Sequence, residues 1–186
     1  KRSSRLRKEG RTWSYILHVS ESPSEASVII TQNDVRQIQL AKAALYAGIK
    51  LLMDEMGITS VDRIRLAGAF GSHISVRHAM VLGLIPDCML NQVSSAGNAA
   101  GVGARIALLD RNARVEIEQT IRRAERIETA IAPEFQTHFV NAMSLPHHSD
   151  TFPNLFSEIV PPRVSTLDIQ PKTKRRRRRG NTNSSG

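Results

Sequence analysis

A strand that leads through two closely spaced glycines into a helix dominates the segment 63–86 of this sequence. Apolar residues at Ile64 and Leu66 predict a short strand, and the segment 75–82 predicts a helix that ends at the glycine and proline beyond it. Between them, residues 68–71 turn the chain, and their small side chains let backbone come close to whatever lies at the end of the strand. Such a turn is either a plain tight turn or an anion site formed by free backbone N–H groups.

The charge of the chain is concentrated at its two ends. The net charge is +9, but residues 12–171 carry 13 basic and 16 acidic side chains, so the body is slightly acidic. Residues 1–11 are predicted to be a disordered basic stub, and 149–186 a disordered tail with a basic run at 172–179. The folded part is therefore expected at 12–148, a length that suits one domain with a real core.

The basic run allows two interpretations. It is a solvated terminal tail, or it binds a polyanion such as nucleic acid through phosphate contacts. No aromatic residue is interleaved with its arginines to stack on bases, so such binding would be independent of sequence.

A single cysteine, Cys88, excludes an internal disulfide and any cysteine-held iron–sulfur cluster or zinc ribbon built within this chain. It favours a reducing cytoplasmic compartment. No apolar run reaches membrane-spanning length, because Lys42 and Lys50 interrupt the longest candidate, so no membrane association is predicted.

Two strands and a long helix are predicted before the central segment. The strands lie near 13–19 and 27–30, and the helix begins at Thr31, with Asp34 in the capping-box position, and ends at Gly57. Its apolar residues recur at three- and four-residue steps and predict one buried stripe. That stripe consists of Val35, Ile38, Ala41, Leu45, Ile49, Leu52 and Met56.

Three further helices are predicted after the central segment. The first, at 96–107, is so poor in side chains that it either packs very tightly or approaches a ligand. The second, at 113–126, is charged and amphipathic, and the third opens at Pro133. The third helix is expected to face the core with Phe135, Phe139, Val140 and Met143.

No catalytic residue and no metal ligand is predicted. The six histidines include no pair at a standard chelating spacing, since His73 and His78 are five apart and His147 and His148 are adjacent. The nucleophile-elbow, P-loop and dinucleotide-binding glycine patterns are all absent.

Four ordered blocks of sequence together resemble one family, the C-terminal domain of the reductive activators of corrinoid proteins. The resemblance covers about residues 28–148 and includes Pro133-Glu134-Phe135 and Leu145-Pro146-His147. The four blocks are 30–44, 66–71, 83–86 and 97–104.

The resemblance implies an α/β fold, a partial RNase-H-like subdomain of the actin, Hsp70 and sugar-kinase superfamily with a short sheet and packed helices. Full-length members carry an N-terminal ferredoxin-like domain with a [2Fe-2S] cluster and use ATP with Mg²⁺ to help reduce a cobalt(II) corrinoid to cobalt(I). By resemblance, the glycine-rich turn lies against the nucleotide. The nucleotide-binding residues it implies here are Gly68, Ala69, Phe70, Gly71 and Ser72.

Three hypotheses of function follow. The first is a C-terminal fragment of a corrinoid-activating, ATP-dependent redox protein, which supplies part of a nucleotide cleft, has a corrinoid protein as partner, forms a homodimer and has no turnover alone. The chain lacks the ferredoxin cysteines and most of the first ATPase subdomain, and it departs from the family pattern at Ser72, His73 and Ser75. The second is a non-catalytic interaction module with a polyanion-binding tail. The third is a relative that keeps the fold for packing only.

Overall fold

The computed structural model describes residues 3–20, 22, 26–129 and 131–160, and these residues form two small sheets and seven α-helices. The strands are β1 (Leu6–Glu9), β2 (Thr12–His18), β3 (Val28–Thr31), β4 (Ile64–Ala67) and β5 (Val93–Gly97). The helices are α1 (Gln32–Glu55), α2 (Gly68–His73), α3 (Val76–Val81), α4 (Ala99–Leu109), α5 (Arg111–Arg123), α6 (Pro133–Ala142) and α7 (Pro153–Glu158), with a 3-10 turn at Leu90–Gln92. The predicted mixture of strands and helices is confirmed.

The first sheet is antiparallel in the order β1-β2-β3. Gly10, at φ +60°, makes the turn between β1 and β2, where Glu9 pairs with Thr12. The strands expected near 13–19 and 27–30 are confirmed, whereas the expectation of disorder over 1–11 is wrong for residues 6–9. Their polar sequence carries no strand signal, and they are held by main-chain hydrogen bonds to β2.

Helix α1 begins as the sequence predicts. Asp34 N–H donates to Thr31 Oγ1 at 3.2 Å, and Thr31 N–H donates to an Asp34 carboxylate oxygen at 2.8 Å. These bonds to the charged form lower the pKa of Asp34. The reciprocal pair satisfies two N–H groups at the helix start.

The buried face of α1 differs from the predicted stripe. Val35, Ile38, Leu45, Leu52 and Met56 are all exposed, so the prediction is wrong for these residues. The buried residues are Lys42, Ala43, Tyr46, Ala47, Leu51 and Met53. Helix α6 packs on this face, because alanines at positions four apart leave room for a close approach that larger side chains would block. Val140 of α6, predicted to face the core, is also exposed.

Lys42 is fully buried and ties α1 to the segment that follows α6. Its ammonium donates to the carbonyl oxygen of Ser144 and, at 2.5 Å, to that of Pro146. Burial lowers the pKa of Lys42 to about 8. Gly83, after α3, completes the contact, since a Cβ there would lie 2.0 Å from the Pro146 oxygen.

The segment 149–160 is part of the core, so the predicted tail begins too early. Phe152 and Leu155 are buried. Asp87 holds the start of α7, accepting from the N–H of Asn154 at 2.9 Å and of Leu155 at 3.0 Å. The local sequence gives no signal for these contacts because they join residues almost 70 positions apart. The remainder of the tail, with the basic run 172–179, lies outside the described residues.

The second sheet contains the central segment of the chain. Strands β4 and β5 pair in parallel, as a crossover through α2 and α3 requires. The predicted strand at Ile64 and the helix that Ser75 caps are confirmed, while residues 68–71 form the first turn of α2 and not a tight turn. Within the described residues, no helix combines the length and apolar composition needed to cross a membrane.

Candidate functional site

The carboxyl ends of β4 and β5 lie side by side and form the candidate site. Ala67, the last residue of β4, is the register partner of Gly97, the last residue of β5. Gly68 follows at φ +84° and Gly97 stands at φ +59°, both in the left-handed region that favours glycine. Neighbouring strands lie about 4.8 Å apart, so the two glycines are within reach of a single small molecule.

Open space surrounds both glycines. A Cβ built at Gly68 or at Gly97 would meet no other atom within 4 Å. A ligand could therefore approach the backbone at both strand ends. Ligands of open parallel sheets commonly bind at this position, outside the carboxyl ends of the strands.

The five residues predicted for nucleotide binding lie together but have different environments. Gly68, Ala69, Phe70 and Ser72 are exposed, and the Phe70 side chain stands out from the surface with 68% of its area accessible. The Ser72 hydroxyl donates to the Gly68 carbonyl oxygen at 2.9 Å. Gly71 is buried, and a Cβ there would lie 2.7 Å from the backbone of Leu66. The absence of a side chain at Gly71 therefore allows α2 to pack closely against β4.

The start of α4 forms the second half of the candidate site. The boundary between β5 and α4 lies later in the chain than the sequence predicts. Residues 96 and 97, expected in a helix, are the end of β5, and Asn98 caps α4 by accepting from Gly101 N–H at 2.9 Å. Glycine at 101 leaves room for this cap, because a Cβ there would lie 2.6 Å from the Asn98 side-chain nitrogen and would displace that side chain.

Tight packing, one of the two interpretations of this glycine-rich helix, is not observed among the described residues. Helix α4 has no buried residue, and a Cβ at Gly103 would meet nothing within 4 Å.

Sequence reasoning missed Gly97 and Asn98 as site residues. One signal could have identified them. Each of the two glycine-containing segments follows a strand, and the carboxyl ends of neighbouring parallel strands lie at the same edge of a sheet.

Acidic side chains are absent from both chain segments of the site. Neither 66–73 nor 93–103 contains aspartate or glutamate. The polar groups there are backbone N–H and C=O groups, Ser and Asn side chains and His73. Protein carboxylates are the usual direct ligands of Mg²⁺, so these residues do not fit a protein-bound Mg²⁺.

An iron–sulfur cluster does not fit the described residues either. Cys88 is buried with its sulfur 3.5 Å from the Asp62 carbonyl oxygen, and burial raises the pKa of its thiol. A [2Fe-2S] cluster of the ferredoxin type needs four cysteine ligands, and the chain has one. Within the described residues, no group of three His, Cys, Asp or Glu side chains is arranged to hold a metal ion.

An apolar cavity of about 310 Å³ adjoins the turn. Leu45 and Ile49 of α1, Leu66 of β4 and Ile74 after α2 contribute to its lining, and Phe70 stands beside it. The turn therefore joins two surfaces, a polar backbone edge at the strand ends and an apolar pocket behind Phe70.

A polar cavity of about 430 Å³ lies elsewhere, beside α1 and the segment 149–154. Asp150 accepts from the Tyr46 hydroxyl at 2.8 Å and pairs with Lys50 at 3.4 Å. Burial alone would raise the pKa of Asp150, but the Tyr46 hydrogen bond and the nearby His147 and Lys50 lower it below its usual value. The charges of this cavity are therefore already used in holding the C-terminal segment.

Comparison with known proteins gives three consistent matches. A family described as the C-terminal domain of RACo, the ASKHA domain, matches residues 1–156. The chain is 40% identical over 131 residues to the corrinoid activation enzyme RamQ of Eubacterium limosum, which covers 69% of this chain and 22% of that protein. A solved structure titled reductive activator for corrinoid, iron-sulfur protein aligns with a TM-score of 0.69 and 30% identity, over 83% of this chain and 25% of that one. The chain thus spans a quarter or less of the length of these relatives.

Proposed function

Because this chain belongs to the family of C-terminal ASKHA domains of RACo, we propose that it forms one side of an ATP-binding cleft in a reductive activator of corrinoid proteins. In the proposed reaction, nucleotide binding helps to transfer one electron to a cobalt(II) corrinoid, which becomes cobalt(I). The electron comes from an iron–sulfur centre outside this chain. The chain alone is proposed to have no turnover, since it holds only part of a cleft.

One observation carries the proposal, namely that the register of β4 and β5 brings two unobstructed glycines to the same edge. At Gly68 and Gly97 a nucleotide can contact backbone without displacing a side chain. At a helix start the first N–H groups have no intrahelical partner, so those of Ala99 and Ala100 are suited to phosphate or ribose oxygens.

The exposed Phe70 ring supports a further assignment within the nucleotide. It offers an aromatic surface beside the apolar cavity. We assign the adenine base to this surface and the ribose and phosphates to the strand ends. Stacking on an aromatic ring stabilises a base by about 1–3 kcal/mol.

The described residues set a limit on the chemistry at this site. Because the segments 66–73 and 93–103 contain no carboxylate, their residues orient the nucleotide through backbone groups and do not ligate Mg²⁺. Phosphoryl transfer requires preorganised charge around the phosphates, and the segments 66–73 and 93–103 do not supply it.

The partner and the compartment follow from the same premise. Both relatives have names that refer to corrinoid activation, so we propose a corrinoid protein as the partner of this one. The single Cys88 cannot form a disulfide within the chain and favours a cytoplasmic location.

Titration of the isotopically labelled 186-residue chain with ATP and ADP tests the proposal. We expect chemical-shift changes at the backbone amides of 67–72 and 96–100. Gly68→Val should abolish these changes, because its side chain would fill the open approach. Gly57→Val is the matched control, since Gly57 stands at φ +65° with nothing within 4 Å and so imposes similar backbone strain away from the site.

Two outcomes would overturn the nucleotide site. One is the absence of shifts up to about 10 mM nucleotide, which would detect a Kd near 1 mM, or about −4 kcal/mol. The other is an equal loss of binding in Gly68→Val and Gly57→Val, which would show that general destabilisation causes it.

A further inference from the structure

Strand β1 lies at the edge of the first sheet and carries an excess of positive charge. It pairs with β2 on one side, and within the described residues no strand pairs with its other side. Residues 5–11 contain four basic side chains and one acidic side chain, and every residue of this stretch is exposed. An open sheet edge presents main-chain groups that a strand of another chain can pair with.

The positive charges of this edge are not neutralised by the protein itself. Arg7, Lys8 and Arg11 form no ion pair within the part of the chain that the structure describes. The one carboxylate of the stretch, Glu9, accepts from the Ser14 hydroxyl at 2.8 Å. The edge therefore has three basic side chains that an acidic partner can pair with.

The direction of the main-chain groups of β1 follows from its pairing with β2. Ile16 N–H donates to the Arg5 carbonyl oxygen at 3.0 Å. The hydrogen-bonding direction alternates along an antiparallel strand, so Leu6 and Lys8 direct their main-chain groups to the outer edge. Leu6 N–H donates to the Ser3 carbonyl oxygen at 3.1 Å and is already used. The outer edge thus offers the carbonyl oxygens of Leu6 and Lys8 and the N–H of Lys8.

These groups favour an acidic peptide over the other chains that could approach a basic edge. Phosphate groups of a nucleic acid accept hydrogen bonds but do not donate them, so they do not satisfy the two carbonyl oxygens, whereas a peptide strand both donates and accepts. Leu6 is 38% exposed and lies on the same strand face as Lys8, which adds an apolar contact for a peptide side chain. A second copy of β1 would bring like charges opposite each other, which is unfavourable.

We propose that the outer edge of β1 is a docking site for an acidic, extended segment of a partner protein, which adds to the first sheet as a further strand. Main-chain hydrogen bonds at Leu6 and Lys8 fix the position of this segment, and its carboxylates pair with Arg7, Lys8 and Arg11. The four residues of β1 span about 13 Å, so the contact is short. Binding is therefore weak for an isolated segment and decreases with added salt, which screens exposed charges.

Titration of the isotopically labelled 186-residue chain with an acidic peptide tests this inference. The probe is an end-blocked peptide of about eight alternating glutamate and valine residues, the length of an ordinary strand. At about 50 mM salt we expect chemical-shift changes at the backbone amides of 5–9, with a Kd near 1 mM. The measurement must resolve single residues, because the basic run 172–179 also attracts an acidic peptide. The same peptide with lysine in place of glutamate should leave the amides of 5–9 unchanged.

A charge reversal on the edge tests the role of the basic side chains. Lys8→Glu should raise the Kd of the peptide about tenfold, because it brings a carboxylate against the glutamates of the probe. Arg122→Glu is the matched control, since it makes the same change in net charge at an exposed position on α5 and should leave the Kd unchanged. Unaltered amide shifts of β2 would verify that Lys8→Glu keeps the hairpin folded.

Hydrogen exchange tests the strand addition separately from the charge. With the peptide at saturation, exchange of the Lys8 amide with solvent should slow about fivefold, because its N–H then donates to a peptide carbonyl oxygen. An oligothymidylate of equal charge should give neither this protection nor the same shifts at 5–9.

Three results would overturn the inference. One is a titration in which shifts occur at 172–179 and not at 5–9, which would leave the edge of β1 without a ligand. The second is binding at 5–9 with no slowing of Lys8 exchange, which would show attraction between charges without pairing of strands. The third is an oligothymidylate that matches the peptide in both shifts and protection, which would make the edge a general polyanion surface.

Discussion

Among the glycines that the structure describes, Gly83 has the least room for a Cβ, and Gly83→Ala tests the consequence. Gly83 stands at φ +69°, and an added Cβ would lie 2.0 Å from the Pro146 oxygen, 2.8 Å from its carbonyl carbon and 3.1 Å from Lys42 Nζ. Two of these atoms belong to backbone, so rotation of a side chain cannot relieve the clash. The segment after α3 and the segment after α6 must therefore move apart.

The magnitude follows from two contributions. A left-handed backbone costs a non-glycine residue about 1–2 kcal/mol. Ordinary contact begins at 3.4 Å, so the carbonyl must also move by about 1.4 Å, which breaks its hydrogen bond from the Lys42 ammonium. A hydrogen bond to a charged group contributes about 1.5–3 kcal/mol, so we expect a total loss of about 2.5–5 kcal/mol.

Urea denaturation of Gly83→Ala beside Gly57→Ala separates the two contributions. Gly57 has nearly the same φ, +65°, but nothing within 4 Å, so its substitution should cost only the backbone contribution of about 1–2 kcal/mol. We therefore expect a difference of about 1.5–3 kcal/mol between the variants. If both lose the same stability, the Gly83–Pro146–Lys42 contact does not have the role assigned to it.

Two further stability predictions concern the C-terminal segment. Asp87→Ala should cost about 2 kcal/mol in urea denaturation, because it removes the acceptor of the Asn154 and Leu155 N–H groups, and a loss confined to experimental error would contradict that role. Burial lowers the pKa of His147 below its usual 6.5, so the folded form resists a proton that the unfolded form accepts, and stability should fall as the pH drops below 6.5. His147→Phe should flatten that part of the melting-temperature profile between about pH 7 and about pH 5, and an unchanged profile would refute the assignment.

The candidate site was partly accessible from the sequence. The strand at Ile64 follows from local pattern, and the choice of residues 68–72 as the candidate nucleotide-binding turn follows from resemblance to the family, which agrees with the matched family and both relatives. The sequence does not show, however, that Gly68 and Gly71 have different surroundings. Gly68 faces open space, whereas Gly71 contacts Leu66, and only the path of the chain shows this difference.

Gly97 belongs to the candidate site only because of how β4 and β5 pair. It lies 29 positions beyond Gly68, and the register of β4 with β5 places it beside Ala67. A sequence pattern indicates that each segment is extended, but it does not contain the partner of a strand or the pairing register. The second half of the site therefore required the tertiary structure.

The sequence by itself determined the features that depend on near neighbours. The capping box of Thr31 and Asp34 set the start of α1, and the order and spacing of four sequence blocks indicated the family that the matched family model confirms. These features follow from groups three or four residues apart or from the order of residues along the chain.

Only the tertiary structure decided which face of each helix is buried. The apolar stripe of α1 remains largely exposed while Lys42 lies inside, because Ala43 and Ala47 allow α6 to pack closely and distant carbonyl oxygens accept from the ammonium. Residues 152–155 likewise lie in the core because of a distant contact, in which Asp87 accepts from the N–H groups of Asn154 and Leu155. Burial is a property of two surfaces that meet, and the sequence of one surface does not specify where the other lies.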